Sequence, residues 1–186
     1  MRWDDLFEDL EAQADSWQRL EREAEVAERT RSEVGQLTLL NRLRSNESGE
    51  VTLRLLGGSA LTGTLTRLGR DWLLLQCPQE VVVPVAAVAT AADLPLRSVD
   101  AGGVSPVASR LTLSSVLRAL AMDRARVVVA LRDRSTVSGV PDRVGADFVD
   151  LAIPDLDEPG RAALGRRVTV AYDAISAVTR EPGGWP

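Results

Sequence analysis

This chain repeats itself, and a repeat of this length limits the folds open to it. The segment VTLRLLGGSALTGTLTRLGRDWLLLQ, from Val51, aligns without a gap on VVVALRDRSTVSGVPDRVGADFVDLA, from Val127, at an offset of 76 residues. Val51, Leu55, Ser59, Gly63, Arg67, Gly69, Asp71 and Leu75 meet identical partners in Val127, Leu131, Ser135, Gly139, Arg143, Gly145, Asp147 and Leu151. Trp72 matches Phe148, and Leu61 matches Val137. The alignment resumes when VVVPVAAVATA from Val81 is laid on VTVAYDAISAV from Val168, now at an offset of 87. The second copy therefore carries 11 extra residues, around IPDLDEPGRAALGRR.

Alternation within the repeat predicts strands. Val51, Leu53 and Leu55 point one way before a hairpin turn at Gly57-Gly58, and Leu61, Gly63 and Leu65 follow on the next strand. Gly63 and Gly139 fall inside strands, where glycine marks a bend or bulge of the kind a small barrel needs to close. Gly69 and Gly145 open a Gly-x-Asp turn into the apolar run at Trp72 and its counterpart at Phe148. Upstream of the copies, LTLLNRLR from Leu37 and LTLSSVLRAL from Leu111 read as short helices, with Thr38 and Thr112 as candidate N-caps. The expected unit is a short helix followed by about five strands, used twice: residues 36–95 and 111–180, joined by a linker over 96–110 and trailed by a flexible tail, 181–186.

Residues 4–33 hold no Gly or Pro and are rich in Glu, Ala, Leu, Gln and Arg, so a long helix over 1–35 is predicted. Asp4, Asp5, Glu8 and Asp9 crowd its first turns, where negative charge suits the helix dipole. A heptad places Trp3, Leu10, Trp17, Ala24 and Arg31 on one seam line and Leu6, Gln13, Leu20, Ala27 and Val34 on the other. Trp3, Leu6, Leu10, Trp17 and Leu20 are the candidate partner-binding stripe. It is expected to pack on the chain's own β domains, on a second copy, or in a groove of another protein.

Composition excludes more than it identifies. There is no His and no Lys; all 22 basic residues are Arg. Ser-His-Asp and Cys-His catalysis, Schiff-base chemistry and the Walker lysine are out of reach. One Cys, Cys77, without His leaves no ordinary zinc site; the reading for Cys77 is a small hydrophobe at a strand end. No catalytic, metal or cofactor residue is assigned. Carboxylate-only chemistry survives as a hydrolase alternative, although Asp155, Asp157 and Glu158 do not have the spacing of a calcium loop. Residues 1–49 hold 7 Arg and 12 acids, whereas 50–186 hold 15 of each, so the net charge of −5 sits on the N-terminal segment. Bulk electrostatics does not draw such a surface to nucleic acid or anionic lipid. No run approaches the roughly 20 apolar residues of a spanning helix, and the acidic start is no secretory signal. No membrane insertion and a cytoplasmic location are expected.

A helix, a hairpin after a small or acidic turn, Gly-x-Leu, then a turn into an apolar strand resembles the Sm and Sm-like family. The carrying residues are Leu55, Gly58, Gly63, Leu65 and Leu73–Leu75 in the first copy, and Leu131, Asp133, Gly139 and Val149–Leu151 in the second. The whole chain also resembles an uncharacterised bacterial family with a two-barrel plan. The resemblance implies a mainly β fold with helices (α+β): a long N-terminal helix followed by two tandem Sm-like five-stranded barrels, each preceded by a short helix. It also implies edge-strand pairing into oligomers and RNA binding. The family's Asp and Asn before its third strand are replaced here by Gly69 and Leu73. Its Arg-Gly pair is replaced by Val83-Pro84-Val85-Ala86 and Val170-Ala171-Tyr172-Asp173.

The leading functional expectation is a non-enzymatic interaction or scaffold protein that self-associates or binds a protein partner through its barrels and acidic helix. An RNA-binding regulator is the alternative, resting on Arg132, Arg134 and Arg143, which can hold phosphate and stack on bases. Asp123, Asp133 and Asp142 interleave with them, so nucleic acid is the less favoured partner.

Overall fold

The computed structural model describes residues 17, 22, 25, 28, 31, 32, 34–95, 110–153 and 166–181. They belong to two units, residues 1–39 and 40–186. In the first, all eight described positions from Trp17 to Gly35 are helical. Arg31 Nη1 lies 3.2 Å from Glu28 Oε2, an exposed pair one turn apart. Trp3, Leu6, Leu10 and Leu20 lie outside the described residues; Trp17, 68% exposed, is the one member of the expected stripe inside them. The expectation of a long helix over 1–35 is therefore replaced by what is described in full: two helices, α1 (Leu39–Arg44) and α2 (Leu113–Met122), each placed just before a run of strands.

Among its described residues the second unit is built on ten strands: β1 (Glu50–Leu55), β2 (Ala60–Leu68), β3 (Trp72–Gln76), β4 (Glu80–Pro84), β5 (Val88–Ala92), β6 (Val127–Leu131), β7 (Thr136–Val144), β8 (Phe148–Ala152), β9 (Arg167–Ala171) and β10 (Ile175–Arg180). Period-two patterning makes β1: Val51, Leu53 and Leu55 are buried while Glu50 and Arg54 are exposed. Leu55 N–H to Ser59 O and Gly58 N–H to Leu55 O close the β1–β2 hairpin, with Gly58 at φ 84°. The register at the 76-residue offset is the same in both halves: Val51 pairs with Gly63 and Val127 with Gly139. Each long strand also breaks register at a matching place, between Leu65 and Arg67 in β2 and between Pro141 and Arg143 in β7.

Two closed five-stranded barrels do not form. All ten strands belong to one antiparallel sheet in the order β5-β1-β2-β3-β4-β10-β6-β7-β8-β9. Closing each half would require β4 to pair with β5 and β9 with β10. Instead β4 pairs with β10, Val82 opposite Val178 and Val81 opposite Thr179, and the sheet runs on through that junction. The physical reason is that alternation and turn chemistry set hairpin register, while any strand edge offers the same row of N–H and C=O groups. The edges of β4 and β10 satisfy each other. The Sm-like and two-barrel expectation is overturned by this open sheet.

The apolar interior crosses the junction too. One cluster gathers Leu43 of α1 with Val51, Leu53, Leu55, Leu65, Leu73, Leu75 and Val83, and takes in Ala177 from β10. The other gathers Leu113 and Leu117 of α2 with Val127, Val129, Val149, Leu151 and Ile175, and takes in Trp72 from β3. Each half thus lends a residue to the other's core.

Candidate functional site

The sheet ends in β5 and β9. Among the described residues each hydrogen-bonds to one strand only, β5 to β1 and β9 to β8. An edge strand presents unpaired N–H and C=O groups, and proteins commonly blunt it with Lys, Pro or a covering element. β5 reads VATAA, short side chains without charge or proline, with Ala89, Thr90 and Ala92 exposed. β9 reads RVTVA; its Arg167 forms a 2.8 Å ion pair with Asp142 of β7, and its Thr169 hydroxyl donates to Asp150 Oδ1 at 2.6 Å. That hydrogen bond satisfies Asp150, a carboxylate 8% exposed.

The four glycines singled out in the sequence act by close approach. A Cβ on Gly63 would meet Gln76 O at 2.5 Å, and one on Gly139 would meet Ala152 O at 2.7 Å, so the strand bends place neighbouring backbone where a side chain would stand. Gly69 sits under the Trp72 indole and Gly145 under the Phe148 ring, each too close for a Cβ. In both turns the glycine N–H donates to the carbonyl of that aromatic residue, at 2.8 and 2.9 Å.

The arginines expected to bind RNA are placed differently from one another. Arg134 Nε donates to Gly57 O at 3.0 Å, and Arg132 Nη2 donates to Ala86 O at 3.0 Å. Arg132 N–H also donates to Ala174 O at 2.9 Å. The β6–β7 turn is thereby tied to the β1–β2 turn and to the 3₁₀ turn Val85–Ala87. Arg134 holds φ 74° in that turn. Asp133 Oδ1 accepts from the hydroxyl and the N–H of Ser135, at 2.6 and 2.9 Å, which holds its carboxyl below the usual range. Arg143 is exposed beside the β7 bulge, opposite Asp150. Two of the three guanidiniums are thus occupied with backbone carbonyls, and the three do not form one phosphate-facing cluster.

Sequence reading missed the role of Asp71. Thr112 stands at the N-cap of α2 but makes no side-chain cap bond; its hydroxyl meets Ser114 and Ser115 instead. The Asp71 carboxylate, from the β2–β3 turn, accepts the Leu113 N–H. Trp72 Nε1 and Arg70 N–H both donate to Leu111 O, at 3.0 and 2.8 Å. The only signal for this was the shared Gly-x-Asp turn.

Among the described residues there is no group of three or more His, Cys, Asp or Glu side chains that could hold a metal, and no helix is long and apolar enough to cross a membrane. Asp155, Asp157 and Glu158 lie outside the described residues. No protein-family model matches the chain, and no curated protein matches it in sequence. The Sm-like resemblance therefore has neither the barrel nor a family match behind it.

Proposed function

We propose that this chain is a non-enzymatic, cytoplasmic interaction protein that self-associates, or takes a protein partner, by adding strands to the open edges β5 and β9. The N-terminal segment is a second contact. One observation carries the reading: a ten-stranded antiparallel sheet whose terminal strands each have one neighbour among the described residues. An extended strand laid on such an edge gains main-chain hydrogen bonds along its length, and that mode of recognition needs no catalytic side chain. The junction between β4 and β10 supports the reading, because the chain already joins two five-strand sets through an edge-to-edge strand pair.

The test is mass by light scattering after gel filtration, over a series of concentrations. The expected mass exceeds that of one 20.1 kDa chain and rises with concentration. It falls back when Thr90 and Ala92, both exposed on β5, become Lys, a residue that discourages edge pairing. A single chain at every concentration, together with no protein captured by crosslinking, contradicts the proposal.

A further inference from the structure

Directly opposed residues of neighbouring antiparallel strands put their side chains on one face. Leu74 of β3 opposes Val82 of β4, Val82 opposes Val178 of β10, and Val178 opposes Val129 of β6. An apolar row therefore crosses four strands and the junction between the halves. Helix α2 covers one end of it, where Val129 and Val178 are 0% and 2% exposed. It stops short of the other end. Leu74 and Val82 on the sheet stay half-buried, as do Val116 and Leu120 on the flank of the helix. Between helix and strands lies a cleft of about 330 Å³, within the range of small-molecule sites.

The rim of the cleft is charged. Arg67 reaches it from β2, where it opposes Leu74, and Arg180 from the end of β10. Glu80, at the start of β4, is the one acid on the rim. Neither Arg67 nor Arg180 has an ion-pair partner among the described residues; the pairs formed there are Arg31–Glu28, Arg126–Glu181 and Arg167–Asp142. Two guanidiniums against one carboxylate leave a net single positive charge over a hydrocarbon floor. A guanidinium fork matches a carboxylate in shape and binds it with charge-assisted hydrogen bonds.

We infer that this cleft binds an amphipathic monocarboxylate, an acid with a medium-length alkyl or aryl tail. The tail lies on Leu74, Val82 and Val178 against α2, and the head group meets Arg67 and Arg180. A dianion is disfavoured by Glu80, and a neutral amphiphile leaves the guanidiniums without a partner. The inference does not depend on sheet-edge association, since none of these residues lies on β5 or β9.

The experiment is titration of the full chain with decanoate, decanol and decylammonium, followed by calorimetry and by the NMR signals of the Val82 and Val178 methyls and of the Trp72 indole, a residue that also lines the cleft. Decanoate is expected to bind saturably, one per chain, and to shift those signals. Arg67→Ala with Arg180→Ala is expected to weaken it at least about tenfold, because each substitution removes a charge-assisted hydrogen bond. Both arginines are exposed, so the thermal melt of the double variant should stay that of the parent. A Val82→Trp variant, filling the cleft, is expected to abolish binding. Absence of saturable decanoate binding overturns the inference. So does decanol or decylammonium binding as tightly, or decanoate binding unchanged in the arginine variant. Shifts confined to residues away from the cleft overturn it as well.

Discussion

The Asp71 carboxylate accepts the Leu113 backbone N–H at 2.8 Å, so a turn in the first half of the sheet caps a helix that begins 42 residues later. Helix N-termini carry orphan N–H groups, and a carboxylate is among the best partners for one because it also meets the positive end of the helix dipole. Asp71→Ala should cost about 1 kcal/mol. Urea unfolding measures the loss, and faster amide exchange at Leu113–Ser115 localises it. An unchanged midpoint would mean that Thr112 takes over as cap.

The other end of the same helix carries a strained residue. Arg124 N–H donates to Ala121 O and Ala125 N–H to Leu120 O, the two bonds of a Schellman motif, with Arg124 at φ 48° where glycine is usual. Arg124→Gly relieves a conformation that costs an L-residue about 1 kcal/mol. A higher unfolding midpoint is expected, although the added freedom of glycine in the unfolded chain offsets part of the gain.

Glycine in the β2–β3 turn works by space. An added methyl at Gly69 runs into the Trp72 indole and the Leu111 carbonyl region, and one at Gly145 runs into the Phe148 ring. Gly69→Ala and Gly145→Ala should each cost roughly 1–3 kcal/mol, the usual cost of overpacking. Gly35→Ala is the control: nothing lies within 4 Å of its Cβ position, so the unfolding of the sheet should not change.

Cys77 is the chain's only thiol, and desolvation by burial raises its pKa. The thiolate is the nucleophile, so a raised pKa means a smaller reactive fraction at any given pH. Iodoacetamide should alkylate Cys77 more slowly than a free cysteine peptide near pH 8. The gap should narrow as pH climbs through the raised value. Equal rates at both ends of that range would contradict the burial.

What the sequence disclosed was local. Val51 opposite Gly63 and Val127 opposite Gly139 follow from the hairpin turn and the alternation around it, since a slip of one residue would turn Val51, Leu53 and Leu55 to solvent. The helices at Leu39–Arg44 and Leu113–Met122 follow from short apolar-periodic runs. What stayed hidden was long-range. Nothing in VVVP or ISAVTR says that β4 chooses β10, because Val, Ile and Thr suit any sheet edge. The interior then confuses the halves further: Trp72 belongs to the second core cluster and Ala177 to the first. For Arg132 and Arg134 the sequence showed charge but not that Ala86 O and Gly57 O would occupy it. The cleft beside α2 was invisible for the same reason as the junction, since its floor is assembled from both halves.

The most direct test of the interaction reading is amide hydrogen exchange, read by mass spectrometry over a wide range of protein concentration. A bare sheet edge exchanges fast on its outward face, and strand addition protects it. Segments 88–92 and 167–171 are expected to gain protection as concentration rises, while β3 and β8, already paired on both sides, do not change. Edge segments that exchange at one rate across the whole range would contradict it.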